Sequence, residues 1–391
     1  MFKTIKDADL NGKKVILRAG FDMPLDEDGN ITDNSRITSS LPTIKYILDH
    51  NASLIIISHN HRPNGEIIEK LNNKKIAEEL SKLLNKKVKY TDQIIGFEVE
   101  KLVKELLPGE ILMLENLRFD KREKQNDSYF AKSIAELGDI YVNDAFSVSH
   151  RKSASIVEIT KYLPSYAGLN LEKEVKNLKL DLVEKPLIFL LGGAKLETKL
   201  PLIEKFLEIG DYVIIGGVMI FTFFKAQGFS VGKSLVDETN IETVKYLLEK
   251  YKDKIILPSD VVISESPDKE ESTTVSIYNI PENMIGLDIG HESIEHFNRI
   301  LKEAKTIVWN GPLGLFEKSP YDKGTIEIAK TLSTLNAKII IGGGDTISAL
   351  KKANVKDKIS FISTAGGACL EILQGKILPG IKALEDNVDL F

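Results

Sequence analysis

The sequence predicts an α/β protein made of two halves, each a mostly parallel sheet covered by helices. Three observations carry this. Short β-branched apolar runs alternate with helical patterns through the first half, and the same alternation returns in the second. Between them lies a helical stretch over 164–184, with Leu171, Val175, Leu178 and Leu182 at helical spacing, which reads as the connector.

In the first half, Lys14–Arg18, 53–58, 111–115 and 139–142 read as strands, and 39–50, Lys74–Leu84 and 127–137 as helices. Ligands of such sheets bind beyond the carboxyl ends of the strands. Just beyond those ends stand Arg18 with Asp22, His59 and Arg62, Arg118, and His150 with Arg151, while Arg36 sits in the loop after the first strand. A cation follows each strand on one edge of the sheet, which is the layout of an anion site. No Cys/His/Asp cluster of metal-ligand spacing accompanies His59-Asn60-His61, so the pair is not read as a metal site. Arg122, in a mixed charge run, reads as solvated surface.

In the second half, Leu187–Leu191, Tyr212–Ile215, 254–257, 306–309, 339–341 and 359–362 read as strands. They are followed by Gly192-Gly193-Ala194-Lys195, Gly216-Gly217, Pro258-Ser259-Asp260, Asn310-Gly311-Pro312, Gly342-Gly343-Gly344-Asp345 and Ser363-Thr364-Ala365-Gly366-Gly367. Small and turn-forming residues at six strand ends make a shallow, backbone-lined crevice that suits an extended phosphate tail. The turn after 339–341 leads into a helix start, where free N–H groups and about half a positive charge attract anions, and Asp345 there is placed to face a phosphate-bound Mg²⁺. No P-loop and no kinase His-Arg-Asp set is present, and no strand leads into Gly-x-Gly-x-x-Gly. The segment 264–279 reads as an exposed hairpin, Asp288 and His291 as helix caps, and Trp309 as core.

Composition bounds the partners. At 391 residues, with 42% hydrophobic and 28% charged residues, the chain is long enough for two or three domains with full cores. A net charge of -5 argues against general binding to nucleic acid or anionic membrane. The single cysteine, Cys369, rules out an internal disulfide and points to a reducing compartment. The first residues, Met1-Phe2-Lys3-Thr4, lack a signal-peptide core, and the expectation is a cytoplasmic enzyme. Of 52 basic residues only seven are arginine, and six of these lie within the first 151 positions. With lysine as the ordinary surface cation, the arginines are candidates for bidentate work on phosphate or carboxylate.

Several segments together closely resemble phosphoglycerate kinases: Thr-Ile-Val-Trp-Asn-Gly-Pro-Leu-Gly-Leu-Phe-Glu (306–317), Leu-Glu-Asn-Leu-Arg-Phe (114–119), Leu-Gly-Gly-Ala-Lys (191–195), Gly-Gly-Gly-Asp-Thr (342–346), Asn-Asp-Ala-Phe (143–146) before His150-Arg151, and Leu-Pro-Gly-Ile (378–381). The match runs in register from the first strand to the last residues. It implies two doubly wound, Rossmann-like parallel-sheet domains joined by a hinge helix: a phosphoglycerate-binding domain of residues 1–166 with the tail 378–391, and a nucleotide-binding domain of residues 167–377. The implied reaction is 1,3-bisphosphoglycerate + ADP ⇌ 3-phosphoglycerate + ATP, with Mg²⁺ on the nucleotide, domain closure and a monomeric enzyme. Phosphoglycerate positions map onto Arg36, His59, Arg62, Arg118 and Arg151. The resemblance puts Lys199 on the ATP phosphates, Glu317 on the ribose, Gly217 and Gly286 on the adenine side, and Gly343, Gly344, Asp345 and Thr346 at the phosphate and Mg²⁺ end. Lys195, Arg36 and the helix start at Gly366 and Gly367, with Ala365 before it, would face the phosphoryl group in flight.

The chain departs from the family pattern near the glycerate. Where family members usually carry Arg-x-Asp-x-Asn-x-Pro, this chain has Arg18-Ala19-Gly20-Phe21-Asp22-Met23-Pro24. Gly20 and Asp22 are thus candidate substrate contacts of altered chemistry, with Asp22 expected to take over hydrogen bonding to the glycerate hydroxyl. Asn60-His61 stands for the usual Leu-Gly, Ser147-Val148-Ser149 for Gly-Thr-Ala, and Ala365 for the first glycine of a triplet. Two other readings stay open on sequence alone: a non-catalytic nucleotide binder, and a kinase with a changed acceptor.

Overall fold

The computed structural model describes residues 2–180 and 183–391, so Leu182 of the predicted connector lies outside the described residues. The chain divides into two compact units, Met1–Lys176 with Lys376–Phe391, and Asn177–Gly375. The helix Leu169–Leu178 runs across the junction between them in sequence.

The first unit holds β1 (Lys14–Arg18), β2 (Ser53–Ile57), β3 (Val88–Tyr90), β4 (Ile111–Met113), β5 (Ile140–Asn143) and β6 (Ser165–Ala167) in the order β3-β4-β2-β1-β5-β6, every pair parallel. Side chains alternate across a strand, so each sheet face needs its own apolar cover. Val15 and Leu17 join one core with Ile37, Ile44, Ile76 and Leu80 from helices Ser35–Asp49 and Lys74–Leu84. Ile16, one residue out of phase, joins the other with Val99, Val103, Phe130 and Ile134 from helices Phe97–Lys104 and Ser128–Ala135. The chain leaves β1 toward β2 and later returns to β1's other side with β5. That reversal is the switch point at which open parallel sheets bind ligands.

In the second unit β7 (Leu187–Leu191), β8 (Tyr212–Ile215), β9 (Ile255–Ile256), β13 (Thr306–Asn310), β14 (Lys338–Gly342) and β15 (Phe361–Ile362) form a parallel sheet ordered β15-β14-β13-β7-β8-β9. Numbered within the unit and taken from β9, this is 3-2-1-4-5-6, the dinucleotide-fold order, although the glycine fingerprint of that fold is missing. The switch point lies between β7 and β13. A three-stranded antiparallel sheet, β10 (Asp260–Ser264), β11 (Thr273–Ser276) and β12 (Ile285–Ile289), is added between β9 and β13.

The hairpin expected over 264–279 is there as β10 and β11, but it begins at Asp260, which is a strand residue and not a crevice turn. The predicted 164–184 helix is shorter: 165–167 is the edge strand β6 and the helix begins at Leu169. The cause is local. Ser165 and Tyr166 pair with β5, and the carboxylate of Asp144 accepts the amides of Asn170 (2.9 Å) and Leu171 (3.2 Å), which fixes the helix start there.

Candidate active site

At the switch point of the first unit, Arg18 is the last residue of β1 and is 1% exposed. Its Nε donates to Ser155 Oγ (2.8 Å), its Nη1 to the Ala19 carbonyl (2.5 Å), and its Nη2 lies 2.9 Å from His59 Nδ1. A guanidinium only donates, so Nδ1 of His59 accepts and the imidazole proton sits on Nε2. Burial, reinforced by Arg18 and Arg118, pushes the His59 pKa down to about 3, which keeps the ring neutral. Its Nε2 lies 3.7 Å from Asp22 and has no hydrogen-bond partner among the described residues.

Asp22 is the hub of this end. Its Oδ1 accepts the His61 amide (2.8 Å), and its Oδ2 is 3.6 Å from Arg36 Nη1, which also donates to the Asp22 carbonyl. Burial alone would raise this carboxyl; the nearby polar Nε2–H of His59, the His61 amide and the Arg36 charge overcome it and hold the group below the usual carboxylate range. Arg118 donates to the His61 carbonyl (2.6 Å), and burial pushes its pKa down to about 10, with Arg18 and Arg151 adding to the effect. Arg18, Arg118, Lys124, Arg151 and Lys152 line a cavity of about 290 Å³, with Glu123 as its counter-charge. Arg62 is exposed on the following loop, and Gly20 lies half-buried between β1 and the turn Phe146–Val148. Five of the sequence-predicted groups, Asp22, Arg36, His59, Arg118 and Arg151, are thus linked directly or through His61 and the cavity wall.

The switch point of the second unit is made of backbone. Gly192 donates to the Asn310 carbonyl and Gly193 to the Pro312 carbonyl, so the loops after β7 and β13 touch. A Cβ on Gly192 would stand 2.0 Å from the Pro312 oxygen, and one on Gly217, at φ +69°, 2.4 Å from the Gly193 nitrogen. Only glycine allows this approach. Lys195 is the exposed N-cap position of helix Leu196–Ile209 and borders a cavity of about 450 Å³ with Met219, Thr222 and Val236. Lys199, one turn along, donates to Asn310 Oδ1, whose Nδ2 in turn donates to the Gly342 carbonyl (2.8 Å). Burial pushes the Lys199 pKa down to about 8, against the pull of Asp345.

Gly343, at φ +98°, caps helix Gly344–Lys352, and a side chain on Gly344 would meet open space. Asp345 is exposed in the first turn. Thr346 is buried: its Oγ1 accepts the Gly311 amide (2.7 Å) and donates to the Gly342 carbonyl (3.1 Å), tying β13's loop to β14's. Gly366 and Gly367, both exposed, open helix Gly367–Leu373. Glu317 is exposed in the loop after β13. A Cβ on Gly286 would run into the Phe221 ring at 2.0 Å, so this β12 glycine is a packing position.

Other expectations needed correction. Arg122 is not free surface: it makes a fork with Asp120 (Nη2–Oδ2 2.7 Å) and stacks 5.1 Å over the Phe130 ring. Asp288 holds a helix start, as expected, but not that of His291–Lys302, which Asp260 caps by accepting the Glu292 (3.1 Å) and Ser293 (2.8 Å) amides. Asp288 instead holds the next helix, Lys323–Leu332, through the Gly324 amide (2.8 Å), and burial raises its pKa to about 8. His291 is exposed beside Glu295. Trp309 is core, as expected, and its Nε1 also pins the Gly311 carbonyl (2.7 Å). The residue that sequence reasoning missed is Asn310, named only as a turn former; its position between a buried strand and Gly-Pro was the available signal.

The chain matches the family model described as phosphoglycerate kinase over residues 5–376. A phosphoglycerate kinase of Prochlorococcus marinus is 46% identical, covering 97% of both chains, and one of Trichodesmium erythraeum is 47% identical, covering 98% of both. The solved phosphoglycerate kinase structure from Coxiella burnetii superposes with a TM-score of 0.91 at 37% identity, covering 99% of both chains. Twin parallel sheets, the arginine-lined and glycine-lined switch points and these full-length likenesses agree: the chain belongs to the phosphoglycerate kinase family.

Proposed function

We propose that the two switch points divide the phosphoglycerate kinase reaction between them, the first unit holding the phosphoglycerate and the second the nucleotide. The chain moves a phosphoryl group between 1,3-bisphosphoglycerate and ADP, giving 3-phosphoglycerate and ATP. The observation that carries the division is the contrast in charge and shape: a cavity walled by Arg118 and Arg151 in one unit, and in the other a glycine-lined turn beside Lys199. Guanidinium groups suit a phosphorylated acid, and helix starts without side chains suit a phosphate tail.

In this reading Arg36, His59, Arg62, Arg118 and Arg151 bind the phosphoglycerate, with Gly20 and Asp22 at its glycerate end. His59, neutral and donating through Nε2, offers a hydrogen bond and no charge. Lys199 and the amides of Gly343, Gly344, Asp345 and Thr346 hold the nucleotide phosphates, Glu317 the ribose, and Gly217 and Gly286 the adenine side. The Thr346 hydroxyl is already committed, so Thr346 would contribute its amide.

Mg²⁺ would arrive with the nucleotide, held chiefly by phosphates and water, with the exposed Asp345 carboxylate as the protein's share. Among the described residues no group of three acidic, His or Cys side chains is placed to hold a metal ion. Bound with the nucleotide, Mg²⁺ would neutralise phosphate charge.

In the ATP-consuming direction the acceptor is a carboxylate, ionised at neutral pH, so no general base is required. A His59 that titrates near pH 3 and is fixed by Arg18 fits that chemistry. Catalysis then rests on alignment and on neutralising the group in flight by Arg36, Lys195 and the amides at Gly366 and Gly367. Among the described residues no helix is long and apolar enough to cross a membrane, and a cytoplasmic monomer is the proposed state.

A coupled assay with 3-phosphoglycerate and Mg-ATP tests the activity. Lys195→Ala should keep both KM values near wild type and lower kcat by roughly 10²- to 10³-fold, the scale of one lost transition-state donor. An unchanged kcat would remove Lys195 from the catalytic set.

A further inference from the structure

The substrate of the first unit carries three polar groups of two kinds. Its phosphate and carboxylate are anions and call for the guanidinium groups already described. Its hydroxyl is neutral, and burying it costs free energy unless a donor or acceptor meets it. At the carboxyl ends of β1, β2 and β5 most polar side chains are already committed within the fold.

Asp22, the candidate from sequence, already accepts the His61 amide and faces Arg36 and His59. Asn143 accepts the Ala145 amide (3.0 Å) and donates to Ser149, and Ser149 Oγ donates to the Ala145 carbonyl (3.0 Å). Ser58 Oγ accepts the Phe21 amide (3.1 Å). Ser147 differs from all of these: it is half-buried in the turn Phe146–Val148, and its hydroxyl has no hydrogen-bond partner among the described residues. The next residue, Val148, lines the cavity that holds Arg118 and Arg151.

Gly20 faces it. A Cβ there would come within 3.3 Å of Ser147 Oγ and 3.6 Å of Ala145 Cα. The backbone of Gly20 does not lie in the left-handed region, so its conformation does not demand glycine. What the missing side chain provides is room beside the Ser147 hydroxyl.

We propose that Ser147 is the specificity residue for the hydroxyl of the glycerate substrate, which it meets by hydrogen bond in the space left open by Gly20. The assignment rests on the first unit holding the phosphoglycerate. Asp22 is then a positioning residue that holds Arg36 and the His61 backbone, and the substrate hydroxyl pairs with a neutral partner instead of a carboxylate.

The test compares 3-phosphoglycerate with 3-phosphopropionate, the same compound without the hydroxyl. The KM of the first and the competitive Ki of the second are measured on wild type, Ser147→Ala and Gly20→Ala. Ser147→Ala should lose about 3- to 10-fold of the preference for the hydroxylated compound, the value of one neutral hydrogen bond. Its Ki for 3-phosphopropionate and KM for Mg-ATP should stay at wild-type values. Gly20→Ala, which keeps the hydroxyl but crowds it, should lose preference in the same direction. An unchanged preference in Ser147→Ala, or equal weakening of both compounds as from loosened structure, overturns the proposal. Arg151→Ala separates the premise from the inference. It should raise the KM for 3-phosphoglycerate by about tenfold or more, the scale of a charged hydrogen bond, with the KM for Mg-ATP unchanged. If Arg151→Ala behaves so and Ser147→Ala does not, the hydroxyl assignment alone falls.

Discussion

Lys199 shows how one side chain can be read from its surroundings. Its ammonium is held by Asn310, itself anchored on the Gly342 carbonyl, and burial brings its pKa down to about 8. In the free enzyme it is a cation below that pH and loses its proton above it. The KM for Mg-ATP should therefore rise as pH passes from 7 to 9, and Lys199→Met should show a higher KM that no longer changes over that range. A wild-type profile as flat as that of the variant would detach Lys199 from the phosphates. At this scale the sequence was legible for charge and poor for commitment. Arginines at strand ends stood out because lysine is the common cation of the chain. That the Thr346 hydroxyl is spent on the Gly311 amide, or that Arg122 stacks over the Phe130 ring, depends on partners brought together only by folding.

Among the elements, two buried carboxylates hold helix starts and are pushed up by burial, Asp144 to about 7 and Asp288 to about 8. The folded state thus keeps a proton that the unfolded chain has lost above its ordinary value near 4. Stability from these groups is fully present below that value and declines as pH rises toward 7 for Asp144 and 8 for Asp288, by up to about 1.4 kcal/mol per pH unit for each. His59 works in the opposite sense. Its pKa is depressed, so its contribution is present above the unfolded value of about 6.5 and is lost as pH falls toward 3. Urea midpoints between pH 5 and 8 should accordingly fall less with rising pH in Asp144→Asn and Asp288→Asn than in the wild type; identical slopes would show that neither group holds its proton.

The same scale explains which elements escaped prediction. β3 is Val88-Lys89-Tyr90, three residues with a lysine at the centre, and β6 is Ser165-Tyr166-Ala167 between Pro164 and Gly168, the flanks of a turn. Both are edge strands, and pairing with β4 and β5 supplies what their own sequence lacks. The five-residue apolar runs of the sheet centres, Lys14–Arg18 and Leu187–Leu191, carry enough signal of their own that the expected ends coincide with the observed ones.

Over the whole molecule, the tail Lys376–Phe391 belongs to the first unit although 199 residues of the second precede it, from Asn177 to Gly375. Helix Pro379–Asn387 buries Ile381 and Leu384, and its N-cap residue Leu378 is buried as well. Asn387 accepts the Ser165 amide (2.8 Å) and donates to the carbonyls of Thr160 (2.6 Å) and Leu163 (3.1 Å), so it serves the edge strand β6 from far along the chain. Asn387→Ala leaves the buried Ser165 amide and Thr160 carbonyl unpaired, while the Leu163 carbonyl keeps the Ser165 hydroxyl (2.8 Å), and should cost about 2–4 kcal/mol. The loss should appear as an earlier unfolding step of the first unit, with the second unit's transition unmoved. A single transition shifted as a whole would mean that the two units unfold together. Local periodicity could not reveal this return of the tail, because the contact links positions more than two hundred residues apart.

That tail sets an order of events during synthesis. The ribosome delivers the first unit's six strands early, yet their last packing element only after the whole second unit has emerged. A domain made of one unbroken stretch can close while the chain still grows; one whose final helix is encoded at the other end must wait, its edge strand β6 lacking Asn387. The later-made unit is therefore the one able to finish first, the reverse of the usual N-to-C order.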